Sequence, residues 1–203
     1  GAVKFGRNQC VKYPERFELP DDKTIVALLA AAKDAGINMI DVAPAYGIAE
    51  ERIGQLLTSR HDWVLCSKAG EHFTNGESHF DFTPEGLTAS VDNSLTQLRT
   101  DYLGVLLIHS DCNEMPHIEQ DGVFETCAQL KAQGKIRSFG MSTKTVEGGL
   151  ATVKHADVVM VTYNPMEQDQ RPVIDAAAAA NKGVFIKKAL ASGHAVDPIA
   201  ALC

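Results

Sequence analysis

Long apolar runs, an excess of basic residues, paired cysteines and nucleotide-loop glycines are all missing from this sequence, and each absence removes a class of protein. No stretch approaches the roughly 20 apolar residues that a membrane span needs. The N-terminus lacks the basic-then-apolar layout of a secretory signal. A cytoplasmic protein with no membrane partner is therefore expected. Nineteen Lys and Arg face 26 Asp and Glu, a formal net charge of −7, the wrong sign for a chain whose main partner is nucleic acid. The five cysteines, Cys10, Cys66, Cys112, Cys127 and Cys203, are odd in number, scattered and without a CxxC pair, so reduced thiols are expected. Seven histidines show neither HExxH nor paired-ligand spacing, and no metal site is expected. No linker, low-complexity segment or block of one charge divides the chain. What is there is 203 residues, 45 % hydrophobic and 22 % charged, long enough to bury a core, and one domain over residues 1–203 is expected.

The apolar residues follow two alternating patterns. Short runs rich in Val, Ile and Leu read as buried strands: Ile37–Ile40, Trp63–Cys66, Val105–Ile108, Ile136–Phe139, Val158–Val161 and Val184–Ile186. Between them the apolar residues recur at three and four, the helical spacing. Asp21 or Asp22 can cap a helix with Ile25, Leu28, Leu29 and Ala32 on its inner face and Gly36 as its stop. Thr83-Pro84 opens another, with Leu87, Val91, Leu95 and Leu98 on one face, because Pro needs no hydrogen bond at the first helical position. Further helices are predicted at 50–57, 122–133, 144–154 and 172–181. Strand and helix thus repeat as βα units around a parallel sheet. A doubly wound dinucleotide fold should show a GxGxxG turn after its first strand, and there is none. A (β/α)8 TIM barrel needs no such turn and places its chemistry on the loops after the strands, so the barrel is the predicted architecture.

Three successive strands each end in one ionisable residue: Asp41, Lys68 and His109. Ser142 follows the next run, and Lys187 and Lys188 end the last. In a barrel these positions face one mouth, and strands about 4.8 Å apart let the first three converge. The Lys68 ammonium is expected within about 3.5 Å of an Asp41 oxygen. The loop Ala43–Gly47 adds Tyr46. A phenol titrates near ~10 and becomes a useful general acid at neutral pH beside a cation that stabilises the phenolate. Lys68 can be that cation, Asp41 can keep it charged, and His109 can orient a substrate oxygen. Such a set protonates a carbonyl oxygen while hydride reaches carbon. Side chains carry no hydride, so a nicotinamide cofactor is implied. The triplet His109-Ser110-Asp111 has the letters of a hydrolase triad, but adjacent residues cannot adopt that geometry. His72 and His79, in the polar loop 71–81, are expected to be solvated, and Cys66 and Cys127 to be small core residues.

The stretch Gly36-Ile37-Asn38-Met39-Ile40-Asp41-Val42-Ala43-Pro44-Ala45-Tyr46-Gly47, followed by Glu50-Glu51-Arg52-Ile53-Gly54, resembles the aldo-keto reductase signature around its aspartate and tyrosine. Ser67-Lys68 is similar to the family's lysine strand, and Leu98–Leu103 leading into Leu107-Ile108-His109 to its histidine strand. Gly134-Lys135-Ile136-Arg137 with Phe139-Gly140-Met141-Ser142 is similar to the stretch entering the nicotinamide-contacting loop. The resemblance implies a reductase of a small aldehyde or ketone that uses NADP(H), with NAD(H) left open. It implies Tyr46 as general acid, Lys68 and Asp41 as the groups that tune it, and His109 as the group that orients the carbonyl. For the cofactor it implies Asp41, Ser142, Thr143 and Lys188, with Leu190 and Ser192 in a loop that wraps the pyrophosphate. Thr143 stands where many members have Asn, Met160 where many have Gln, and Lys187 or Lys188 where an aromatic stacks on the nicotinamide. By the same resemblance Gly1-Ala2-Val3 is the tail of the first strand and Cys203 falls in the seventh helix. About seven strands of an incomplete barrel are thus expected, without the eighth strand and the C-terminal helices.

Two other readings stay open on sequence alone. A Schiff-base lyase or aldolase could use Lys68 or Lys188, since barrel lysines of depressed pKa form imines. A non-catalytic nucleotide-binding or interaction protein could keep the barrel without turnover.

Overall fold

A computed structural model describes residues 1–194. In chain order its elements are α1 (Asp22–Asp34), β1 (Met39–Asp41), α2 (Ala49–Leu56), β2 (Val64–Ala69), β3 (Glu71–Thr74), β4 (Glu77–Phe80), α3 (Pro84–Gln97), β5 (Val105–His109), α4 (Glu114–Glu119), α5 (Val123–Ala132), β6 (Phe139–Ser142), α6 (Val146–His155), β7 (Val158–Thr162), α7 (Arg171–Ala179) and β8 (Gly183–Lys187). The helices begin where the side chains allow. Asp21 accepts the Thr24 N–H at 2.8 Å, Thr83 that of Gly86 at 3.1 Å and Thr145 that of Gly148 at 3.0 Å. Each such cap satisfies an otherwise orphaned donor and stabilises its helix by about 1 kcal/mol.

Six strands pair in parallel in the order β1-β2-β5-β6-β7-β8, a curled half-barrel with helices on its outer face, which is an incomplete (β/α)8 barrel. The alternation of side chains along each strand divides the core in two. Leu65, Leu106, Ile108, Phe139 and Met141 pack outward against the helices, joining Ile25, Ile53, Leu87, Val91, Cys127 and Leu130. Cys66, Val105, Leu107 and Met160, with Met39 and Phe185 against them, form a second cluster on the other face, the barrel interior. Each fully buried Leu or Ile here removes enough apolar surface from water to contribute about 1.5–3 kcal/mol.

Several sequence expectations are corrected. Val3–Phe5 is a 3-10 turn, and the segment before it keeps a single bond to the edge strand, Ala2 N–H to the Asp41 carbonyl at 2.8 Å. The described sheet therefore has six strands, where seven were expected. The strand predicted at Ile136–Phe139 lies at Phe139–Ser142, with Ile136 in an isolated bridge to Leu103. Gly140 sits inside this strand because a Cβ there would strike the Val158 carbonyl. Leu28, assigned to the inner face of α1, is 53 % exposed, while Ile25 and Leu29 are buried. The polar loop 71–81 is a β-hairpin, β3 with β4, whose turn Asn75-Gly76 has φ of +54° and +86°. Asn-Gly is the favoured pair for a two-residue hairpin turn, and the signal was present in the sequence. Cys66 and Cys127 are buried as expected, and burial pushes both thiols up to about 12. The expected helix position of Cys203 lies outside the described residues.

Candidate active site

The site is built by the period of two along each strand. Two residues beyond the interior-facing Met39, Cys66, Leu107, Met160 and Phe185 come Asp41, Lys68, His109, Thr162 and Lys187. Ser142 stands beside His109 in register. The C-terminal ends of all six parallel strands thus present polar side chains to one mouth.

Lys68 is the most constrained of these. Its side chain is 1 % exposed, and its ammonium donates to Asp41 Oδ1 at 2.6 Å and to the Val42 carbonyl at 2.9 Å. The same nitrogen lies 4.7 Å above the centre of the Tyr46 ring. Burial by itself would lower the Lys68 pKa, but Tyr46, Asp41 and Cys66 together raise it above its ordinary value, so the residue is a fixed cation. Burial pushes the Tyr46 phenol up, and the Lys68 charge pulls it back. Tyr46 closes a 3-10 turn, Pro44–Tyr46, ended by Gly47 at φ +63°, where a side chain would also collide with the Gly6 carbonyl. Arg7 straps this turn by donating to the Ala45 carbonyl at 3.0 Å. The Tyr46 and His109 rings stand edge to face, with centres 6.5 Å apart. Asp41, Tyr46, Lys68 and His109 are therefore one constellation, as the strand ends indicated.

The residues expected around a cofactor are only partly gathered. Ser142 and Thr143 are buried at the end of β6, beside His109 and across from β8. Of the two neighbouring lysines, Lys187 is the one that reaches them, its Nζ donating to Ser142 Oγ and to the Thr143 carbonyl, both at 2.8 Å. Lys188, on which the sequence reading settled, is exposed, and Asn164 holds its carbonyl at 3.1 Å. Leu190 is exposed and Ser192 half-buried, on a turn whose N–H groups at Ala191, Gly193 and His194 are spent on bonds within the loop. The Thr143 hydroxyl is buried with no partner. An orphaned buried hydroxyl costs about 1–3 kcal/mol until something meets it. Beside Ser142, it fits the amide edge of a nicotinamide group. Glu71, on the hairpin, was missed by sequence reasoning, and its Oε2 stands 2.8 Å from His109 Nδ1.

Burial, reinforced by Lys188, Lys144 and Lys68, pulls Lys187 down to about 7. An unfolded lysine titrates near 10.5. Between these values the unfolded chain binds the extra proton, so stability must rise with pH across that window. Urea melts of the parent and Lys187→Met at pH values on either side of the window should show the parent gaining relative to the variant at the alkaline end. A constant difference would mean that Lys187 keeps its proton.

Among the described residues no helix is long and apolar enough to cross a membrane. The sequence profile of the Aldo/keto reductase family matches residues 1–197. A solved structure from Pseudomonas aeruginosa, assigned to the aldo-keto reductases, is 49 % identical, superposes with a TM-score of 0.88, and is matched over 97 % of this chain and 73 % of that one. An aldo-keto reductase of Bacillus subtilis is 30 % identical over 169 residues, 80 % of this chain and 50 % of its own length. A D-threo-aldose 1-dehydrogenase from Pseudomonas is 27 % identical over 193 residues, 81 % of this chain and 59 % of its own. The chain thus spans 50–59 % of the length of these two curated relatives.

Proposed function

The chain belongs to the aldo/keto reductase family, a family of oxidoreductases, and on that premise we propose that it reduces a small aldehyde or ketone with NADP(H), Tyr46 giving the proton. The observation that carries the reading is the buried Lys68 ammonium, held by Asp41 under the Tyr46 ring with His109 at the ring's edge. A nicotinamide cofactor, when bound, would supply the hydride that the carbonyl carbon needs. Charge then develops on the carbonyl oxygen, and Tyr46 is the acid that neutralises it, because the Lys68 cation stabilises the phenolate left behind. Asp41 keeps that cation in place and charged. His109 orients the carbonyl oxygen toward the phenol, and Ser142 and Thr143 would hold the amide of the nicotinamide.

The test is to mix the complete polypeptide with NADPH or NADH and a panel of aldehydes and ketones, and to follow loss of the reduced-nicotinamide absorbance. Carbonyl-dependent oxidation of the cofactor is expected. A chain that leaves both cofactors unoxidised, or one trapped as an imine by borohydride, would sink the proposal; the trapped product would instead support a Schiff-base lysine.

A further inference from the structure

The catalytic reading uses one nitrogen of His109, and the structure shows what stands at the other. Nδ1 is buried, and Glu71 Oε2 stands 2.8 Å from it, close to the ring yet off the N–H direction, so Nδ1 has no aligned acceptor. Glu71 is itself held. Ser78, on the opposite strand of the hairpin, donates to Glu71 Oε1 at 2.6 Å. Phe73, two residues further along β3, has the Arg7 guanidinium stacked 3.4 Å from its ring centre. Arg7 in turn straps the Tyr46 turn through the Ala45 carbonyl. The hairpin is thus locked to the same loop that carries the phenol, and it delivers a carboxylate to the far side of the imidazole.

From this geometry we infer that Glu71 is a positioning residue, which holds the His109 proton on Nδ1 and leaves Nε2 as the nitrogen that meets the substrate oxygen. The inference rests on the carbonyl-reductase reading for its use in catalysis, but the pairing stands on its own distances. A carboxylate beside one ring nitrogen fixes both the tautomer and the ring's rotation, and catalytic hydrogen bonds of this kind often align only when substrate is bound. The titratable groups facing His109 come from four elements. Burial lowers its pKa, Lys68 on β2 and Lys187 on β8 lower it further, and Glu71 on β3 raises it; Tyr46 stands at its edge. Burial acts against the Glu71 carboxylate, yet His109, Ser78 and Arg7 bring it down to about 2. Glu71 therefore stays ionised across the range in which the histidine titrates, and it is the one group in this set that favours the imidazolium.

The experiment is an NMR titration of the His109 ring in the complete polypeptide without substrate or cofactor, compared between the parent and Glu71→Gln. The amide keeps the shape and removes the charge. The His109 midpoint should fall by about one pH unit or more, and in the kinetic assay kcat should drop at least about tenfold, with the His109 limb of the pH profile moving to lower pH as well. If Glu71→Gln fails to fold, Ser78→Ala releases Glu71 Oε1 and should move the midpoint the same way by less. An unchanged midpoint in the folded variant overturns the inference, whatever happens to kcat, because a purely structural role would not hold the proton. A midpoint that moves in a chain without carbonyl reduction keeps the pairing and overturns the reductase reading instead.

Discussion

Tyr46→Phe should lower kcat for carbonyl reduction by at least ~10², the scale expected for loss of a general acid, while the dissociation constant of the cofactor stays nearly unchanged. The substitution removes one oxygen and leaves the ring. The turn Pro44–Tyr46 is closed through backbone atoms, Tyr46 N–H to the Ala43 carbonyl at 2.9 Å, so the loop has no reason to move. Lys68 keeps Asp41 and the Val42 carbonyl as partners and is not stranded. The loss should therefore fall on the chemical step. Steady-state kinetics and fluorescence titration of the cofactor separate the two quantities, and a variant that retains most of its turnover would take the phenol out of the mechanism.

Lys68→Met has the larger structural consequence. The ammonium balances Asp41 at 2.6 Å, and it is 1 % exposed. Breaking a buried pair by removing one partner costs roughly 3–5 kcal/mol, because the other is left uncompensated. Asp41 is 22 % exposed and keeps some water, so the low end, about 3 kcal/mol, is expected. The folded chain holds the Lys68 proton more tightly than the unfolded chain does. That stabilisation is complete at neutral pH and is lost only in strong alkali. Activity should fall by at least ~10³, since the phenolate loses its cation while burial and the Asp41 charge still push the phenol up. Lys68→Arg should also fail, because a planar guanidinium does not fit a slot shaped for a single nitrogen. Urea unfolding measures the first effect and kcat the second. Near-parental values of both for Lys68→Met would show that the ion pair is incidental to fold and chemistry.

The candidate catalytic set was legible because barrel chemistry collects at strand ends, and a strand's end can be read locally. Val105–Ile108 is an unbroken apolar run, and the polar residue that ends it is His109. The same holds for Asp41 after Ile40. What escaped the reading was which of two adjacent residues faces inward, and what a segment read as loop brings to the site. The choice between Lys187 and Lys188 turns on register: β8 pairs Lys187 with Thr162, which fixes Lys187 on the interior face, and a slip of one residue would have put Lys188 there. Glu71 was hidden for a related reason. Its neighbours are polar and read as loop, the Asn75-Gly76 turn went unused, and nothing near it in sequence shows that folding the hairpin back brings it to His109.

The sequence by itself determined the βα repeat, the helix start at Thr83 and the identity of the four converging groups, because period, capping and strand termination are properties of a few neighbouring residues. It also determined that the buried cation would be a lysine beside a carboxylate. Tertiary structure alone decided how many strands pair, which lysine faces the interior, and which carboxylate stands behind the imidazole. Those depend on register and on segments far apart in the chain, and a side-chain period of two means that a shift of one residue exchanges the faces of a strand.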